Sequence, residues 1–292
     1  MNQIKVKCPA KINLTLEILN KRQDSFHDIQ SVMQTIDLFD FLTIEITKST
    51  ELQIELSGTS DEIPYDERNL VYKAILLFIE RTNLPAHKIT VHIEKNIPIS
   101  AGLAGGSTDA AGVLWGLNKL FDNILSSEEL HELCAKLGSD LNFCLEGGCQ
   151  LATGRGEILK KLPFCEFELS LIKPTNLGIS AKEAYTKFSA LEKKPNLDMT
   201  TKLVDALLAG KSNVEDYLHN DLEVAVFGDY KELQEIKKAY PTSIMSGSGS
   251  TYFIIGQSDL AGSHTELGKE FGWNLWTATK LSSINYGVCD SL

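Results

Sequence analysis

Between Pro98 and Ala111 the chain runs Pro-Ile-Ser-Ala-Gly-Leu-Ala-Gly-Gly-Ser-Thr-Asp-Ala-Ala, wedged between a strand-like run, KITVHIEKNIP, and a helical one, STDAAGVLWGLNKL. Glycine tolerates positive φ and lets a ligand approach the backbone. A helix starting directly behind it presents unpaired amides and the positive end of its dipole. That combination is phosphate-binding chemistry; a merely flexible strand-to-helix connection is the alternative that glycine content alone leaves open. Neither familiar nucleotide fingerprint applies. Gly106 is followed by Ser107 where a Walker A loop needs lysine, and the loop contains no Gly-x-Gly-x-x-Gly.

A phosphate ligand has to be reconciled with the charge of the chain. The 292 residues carry 39 acidic and 28 basic side chains, a net charge of −11. A protein whose main task was to neutralise a nucleic-acid backbone would show a basic excess or a basic block, and neither is present. A local cradle of amides with one or two lysines still binds a small anion inside an acidic protein. With 43% hydrophobic residues at this length, disorder and small disulfide scaffolds are excluded. Six cysteines (Cys8, Cys134, Cys144, Cys149, Cys165, Cys289) form no CxxC pair and read as free thiols of a reducing compartment. The opening MNQIKVKCPAKINLTLEIL is too polar for a signal peptide, and no run approaches 18 apolar residues. A cytoplasmic protein without membrane association is expected.

Hydrophobic periodicity predicts strands first. Ile4 to Leu19 alternates as a half-buried strand, with Ile12, Leu14, Leu16 and Ile18 on one face and a break or bulge at Pro9. IQSVMQTIDL, FLTIEIT and ELQIELSG follow as further strands. Helical spacing then appears over Asn69–Arg81, Ser107–Leu120 and Ser127–Leu137, the last stopped by Gly138. His131 and Cys134 on that last helix are expected to be a surface and a core residue rather than metal ligands. After CQLATGRGEILKKLP the pattern restarts with the strand FELSLIKP, helical stretches near Ala181–Leu191, Met199–Leu208 and Tyr230–Ala239, and strands at YFII and NLWTATKL. A soft boundary near Leu159–Phe164 divides residues 1–160 from 161–292. Strands and helices without strict alternation argue for α+β rather than a doubly wound sheet.

Four segments in order carry a resemblance: Pro9-Ala10-Lys11-Ile12-Asn13-Leu14, the glycine-rich loop, Leu137-Gly138-Ser139-Asp140-Leu141-Asn142-Phe143, and Ser246-Gly247-Ser248-Gly249-Ser250. Together they resemble the motifs of the GHMP small-molecule kinases. Ser25-Phe26-His27-Asp28 and Ala152-Thr153-Gly154-Arg155-Gly156-Glu157 are most similar to the branch of that family acting on 4-(cytidine 5′-diphospho)-2-C-methyl-D-erythritol in the non-mevalonate isoprenoid pathway. The resemblance implies a two-lobed α+β fold, with a ribosomal-S5-domain-2-like N-terminal lobe that binds ATP and a ferredoxin-like C-terminal lobe. It also implies transfer of the ATP γ-phosphoryl group to the 2-hydroxyl of the cytidyl substrate, with Mg²⁺ carried on the nucleotide and no metal ligand assigned.

By the same resemblance Lys11 and Asp140 match the catalytic lysine and aspartate, Asp140 accepting the hydroxyl proton. ATP would be held by Asn69 and Lys95 at its base and by Pro98, Ile99, Ser100, Ala101, Gly102, Leu103, Ala104, Gly105, Gly106, Ser107 and Thr108 at its phosphates. The acceptor would meet Asn13, Phe26, His27, Tyr185, Gly247, Ser248 and Gly249, with Phe26 and Tyr185 stacking on the pyrimidine and His27 at its polar edge. Four positions depart from the usual pattern. Phe26 stands for tyrosine, and Asn142 for a frequent proline. Ala104 stands for glycine, which puts positive φ there in question. Asp109 stands where asparagine is common and is expected to point outward from the helix start. Mevalonate, homoserine or sugar phosphorylation, and a silent nucleotide-binding regulator on the same fold, remain the rivals. No protein partner is visible, and a homodimer stays open.

Overall fold

The computed structural model describes residues 2–24, 26–191, 198–256 and 273–291, without the side chains of 273–280. Ser25 of the quoted motif lies outside the described residues. The opening segment forms β1 (Gln3–Asn13) and β2 (Thr15–Lys21), interrupted at Leu14 rather than at Pro9. Pro9 leaves its mark in the pairing instead: the register with β3 (His27–Lys48) jumps from Pro9–Phe39 to Ala10–Ile36. A residue with no N–H to give to the ladder belongs at such an irregularity. The half-buried strand expected here is present at its start, where Gln3 and Lys5 are exposed, while its end is covered on both faces. Ile4, Val6, Cys8, Ala10 and Ile12 enter the core, and Lys11, Asn13 and Thr15 on the other side are buried as well. That second cover comes from late segments such as Thr200, whose hydroxyl meets Thr15 Oγ1 at 2.9 Å.

Along the chain follow β4 (Gln53–Gly58), α1 (Leu70–Thr82), β5 (His87–Glu94), α2 (Gly105–Leu120), α3 (Ser127–Leu137), α4 (Leu141–Glu146), β6 (Cys149–Thr153), β7 (Ile158–Lys161), β8 (Glu168–Pro174), α5 (Ala181–Ala190), α6 (Met199–Leu208), β9 (His219–Asn220), α7 (Asp221–Val226), α8 (Lys231–Ala239), β10 (Ile244–Met245), β11 (Tyr252–Ile255), β12 (Trp273–Ile284) and β13 (Cys289–Asp290). β3 is one strand of 22 residues where two were expected, because Leu38 and Asp37 sit in the register jump and not in a turn. It is the spine of the sheet, antiparallel to β1, β2, β5, β6 and β12. β4 runs parallel to β5, and β8 lies between β11 and β12. Mixed pairing of this kind fits the expected α+β class. Missing from the expectation were α4, β6, β7, β9, α7, β10 and β13, each of two to six residues and too short to show a full period.

The helices α1 to α4 pack on β1, β3 and β5 around Val6, Leu42, Ile44, Ile75, Phe78, Leu114 and Leu117. Two glycines bring α2 unusually near the sheet. A methyl at Gly112 would stand 2.4 Å from Cys8 Sγ, and one at Gly116 would stand 2.5 Å from Ile44 Cδ1. A further core joins Leu16, Ile18 and Ile29 to Phe188, Leu222, Leu233, Tyr252 and Ile254 from the C-terminal part. No helix among the described residues is long and apolar enough to cross a membrane.

All six cysteines are free; five are buried and Cys289 is partly exposed. Burial pushes the Cys134 and Cys149 thiols up to about 12, so they resist forming the reactive thiolate. A thiol reagent counted by mass spectrometry should therefore modify native protein at Cys289 alone and all six cysteines in denaturant. Fast labelling of two or more in the native state would contradict this burial.

Candidate active site

The glycine-rich loop enters α2 through Ala104, whose backbone is left-handed at φ 61° and gives the helix no side-chain cap. The question raised by alanine at this position is thereby answered: it takes positive φ, at a cost of about 1–3 kcal/mol. The helix starts at Gly105, two residues earlier than Ser107, so its first amides belong to Gly105, Gly106 and Ser107. Uncapped amides at a helix start are donors awaiting an anion. Gly102 turns the loop at φ +74° and lies under the Ser246–Gly249 turn; a methyl there would stand 2.0 Å from the Ser246 carbonyl oxygen. Ser246 Oγ donates to the Gly102 carbonyl at 3.0 Å, and Thr251 N donates to Ala101 O at 3.3 Å.

Two cavities meet at this loop. The smaller, about 340 Å³, is lined by Pro98 to Ser107 together with Asn69 and Lys95. The larger, about 860 Å³, takes in Lys11, Asn13, Phe26, His27, Asp140, Tyr185, Gly247 and Ser248. Gly102, Ala104 and Ser107 line both. Thr108 and Gly249 line neither; Thr108 is fully buried behind the loop.

At the junction Lys11 Nζ donates to Asn13 Oδ1 at 2.6 Å and stands 3.6 Å from Asp140 Oδ2. Period-two geometry puts Lys11 and Asn13 on the cleft side of β1. Asn13 is itself held by Nδ2 donating to Ser31 Oγ at 2.8 Å. Asp140 follows the end of α3 at Gly138 and precedes α4, using no oxygen to cap that helix. Its carboxylate is about one-third exposed while the Lys11 side chain is almost wholly covered. A buried ammonium beside a solvent-facing carboxylate is suited to receiving negative charge that develops between them.

On the far wall Tyr185 stacks on His27, with ring centroids 5.3 Å apart and planes at 17°. Ser189 Oγ meets His27 Nε2 at 3.0 Å. Burial and the nearby Asp140 charge push the Tyr185 phenol above its usual range. Phe26 is half exposed beneath the Arg155 guanidinium, 5.2 Å from the ring centroid. Among the lining residues Lys21, Arg155 and Lys182 join Lys11 against the single carboxylate of Asp140, giving an acidic protein a locally cationic cavity. Sequence reasoning assigned no role to these three. Arg155 lay inside a quoted motif, whereas Lys21 and Lys182 carry no local signal.

Two nucleotide-side positions have commitments of their own. Asn69 caps α1, its Oδ1 accepting from Val71 N at 2.9 Å. The Lys95 ammonium pairs with Asp40 and, at 2.8 Å, with Asp109. Asp109 therefore points inward and is buried, contrary to the expectation that it would face solvent. The cause is distant in sequence: Lys95 and Asp40 provide an interior charge partner that the helix pattern cannot reveal. Among the described residues no group of three His, Cys, Asp or Glu side chains is arranged to hold a metal ion.

The family described as GHMP kinases N terminal domain matches residues 69–148. A relative from Bacillus cereus strain B4264, named 4-diphosphocytidyl-2-C-methyl-D-erythritol kinase, is 42% identical over 85% of this chain and 86% of its own. The solved structure of a 4-(cytidine 5′-diphospho)-2C-methyl-D-erythritol kinase superposes with a TM-score of 0.74 at 29% identity, covering 96% of this chain and 100% of that one. A homoserine kinase from Cytophaga hutchinsonii superposes with a TM-score of 0.75 at 19% identity, covering 99% and 97%. The last likeness concerns the fold alone.

Proposed function

The chain belongs to the 4-diphosphocytidyl-2-C-methyl-D-erythritol kinases of the GHMP kinase family, and from that premise we propose that it transfers the γ-phosphoryl group of ATP to the 2-hydroxyl of 4-(cytidine 5′-diphospho)-2-C-methyl-D-erythritol, giving the 2-phosphate and ADP in the non-mevalonate isoprenoid pathway. The observation that carries this reading is the Lys11–Asp140 pair in the larger cavity, beside the loop residues common to both cavities. ATP lies in the smaller cavity with its phosphates on the amides of the loop and the α2 start. Mg²⁺ arrives on those phosphates as part of the substrate and offsets charge on the β- and γ-oxygens.

The cytidyl substrate fills the larger cavity. Its base lies against Phe26, His27 and Tyr185, with Asn13, Gly247 and Ser248 bordering the acceptor. Lys21, Arg155 and Lys182 offset its diphosphate. Asp140 takes the proton from the 2-hydroxyl as that oxygen bonds to the γ-phosphorus and the bond to ADP breaks. Lys11, 3.6 Å from Asp140, faces the charge on the moving group. Residues 1–160 act as the nucleotide lobe and 161–292 as the lobe completing the acceptor side, in a cytoplasmic enzyme. Phosphorus NMR of the product tests the chemistry: one new monoester signal coupled to the 2-position is expected, and a phosphate on any other hydroxyl would contradict the acceptor geometry.

His27→Ala removes a ring that stacks on Tyr185 and a nitrogen held by Ser189. Loss of a hydrogen bond at the base edge is worth about 0.5–1.5 kcal/mol. KM for the cytidyl substrate should rise several-fold, up to about tenfold, with KM for ATP nearly unchanged in steady-state assays. Equal rises in both would remove His27 from the base site.

A further inference from the structure

Behind the phosphate loop lies a charged cluster that no step above uses. Asp40 comes from β3, Lys95 from the residue after β5, and Asp109 from the second turn of α2. Asp40 is wholly buried and Asp109 is 2% exposed. Asp40 is well supplied with donors: its Oδ1 accepts from Asn96 N at 2.6 Å and Ile97 N at 2.8 Å, and its Oδ2 accepts from Lys95 Nζ. Asp109 is not. Its Oδ2 accepts from Lys95 Nζ at 2.8 Å, while its buried Oδ1 accepts nothing.

One ammonium thus serves two buried carboxylates, and one carboxylate oxygen lacks a donor. A buried oxygen without a donor is costly on an ionised carboxylate and less so on the neutral acid, whose proton can be given to Asp40 where two carboxylates would repel. Burial and the Asp40 charge hold the Asp109 carboxyl up at about 7, against the pull of Lys95. The Cys8 thiol of β1 also faces the cluster and is pushed up by burial and by both carboxylates, so it stays neutral. The cluster is close to the nucleotide side: Lys95 and Asp109 line the smaller cavity, and Lys95 Nζ is 2.8 Å from where a Cβ on Gly105 would stand.

We propose that Asp109 is a positioning residue for ATP, acting through Lys95 to set the charge behind the phosphate loop, with its protonated form the one the triphosphate favours. The proposal rests on the loop holding ATP. When Asp109 is protonated, Lys95 and Asp40 form a neutral pair. When it is ionised, the cluster carries a net negative charge beneath the amides that receive the phosphates, because the one Lys95 ammonium is shared between two carboxylates. ATP binding then takes up a proton from solvent at Asp109. Asparagine keeps the shape and cannot ionise.

KM for ATP measured from pH 6 to pH 9 should rise several-fold across neutrality in the unmodified enzyme and stay flat in Asp109→Asn, with the trend in KM and not in kcat. A purely structural role would shift KM equally at every pH. Calorimetry of MgATP binding at pH 8 in two buffers of different ionisation enthalpy gives a second readout that needs no variant. Fractional proton uptake by the unmodified enzyme supports the proposal, and its absence overturns it. Parallel KM profiles for the two proteins also overturn it. Failure of the unmodified protein to bind ATP at all would overturn the kinase reading together with this proposal.

Discussion

Asp140→Asn is expected to lower kcat by about 10²–10⁴, the range for losing a positioned general base, or about 3–5 kcal/mol of transition-state stabilisation. The substitution is nearly isosteric, and Asp140 caps no helix with its side chain, so α4 has no reason to shift. Lys11 retains its 2.6 Å bond to Asn13. Asp140 lines only the larger cavity, so ATP affinity measured by calorimetry should be nearly unchanged. Loss of turnover with intact nucleotide binding would separate the proton-accepting role from a binding role. Turnover within a few-fold of the parent would show that another group accepts the proton.

The second large effect concerns the join between loop and C-terminal part. Gly102→Ala forces a methyl to within 2.0 Å of the Ser246 carbonyl oxygen and 3.0 Å of Gly249 N, from a backbone at φ +74°. Neither neighbour is a flexible side-chain end, so the loop or the turn must move. Strain of this kind costs about 1–3 kcal/mol. A displacement of about 1 Å next to reacting groups can cost about 10² in rate. We expect kcat/KM to fall about 100-fold and Tm to drop by several degrees. Gly106→Ala is the stability control, because its methyl would meet only Leu70 Cδ1 at 3.9 Å. Its melting temperature should match the parent within about a degree; equal destabilisation by both alanines would mean that the Ser246 contact is not the cause.

How far local sequence carries toward a site is visible in α2. Its glycines expose a backbone requirement directly, so the loop and the anion-binding helix start could be inferred before any contact was known. The start itself was misplaced by two residues, since Ser107, Thr108 and Asp109 have the composition of a cap while the cap position belongs to Ala104. The same limit explains Asp109: its partner Lys95 is held inside by Asp40, 69 residues earlier in the chain than Asp109, on a strand whose interior charge looks from sequence like a turn. Alternation in β1 identified the face of Ile12 but not the burial of Lys11 and Asn13, because the second cover is assembled from Leu103, Thr200 and Gly247. Lys11, Asp140, His27 and Tyr185 were found through the resemblance, and the cleft gathers them into one cavity. Lys21 and Lys182 had no comparable marker, being ordinary surface lysines until the chain folds.

The most direct test is ADP release from MgATP by the purified protein, compared across 4-(cytidine 5′-diphospho)-2-C-methyl-D-erythritol, mevalonate, homoserine, galactose and no acceptor. Turnover with the cytidyl compound at least 100-fold above every other acceptor is the predicted result. Equal or faster turnover of mevalonate, homoserine or galactose would contradict the assignment of the larger cavity to a cytidyl diphosphate, and ATP binding without acceptor-dependent ADP release would contradict the kinase chemistry itself.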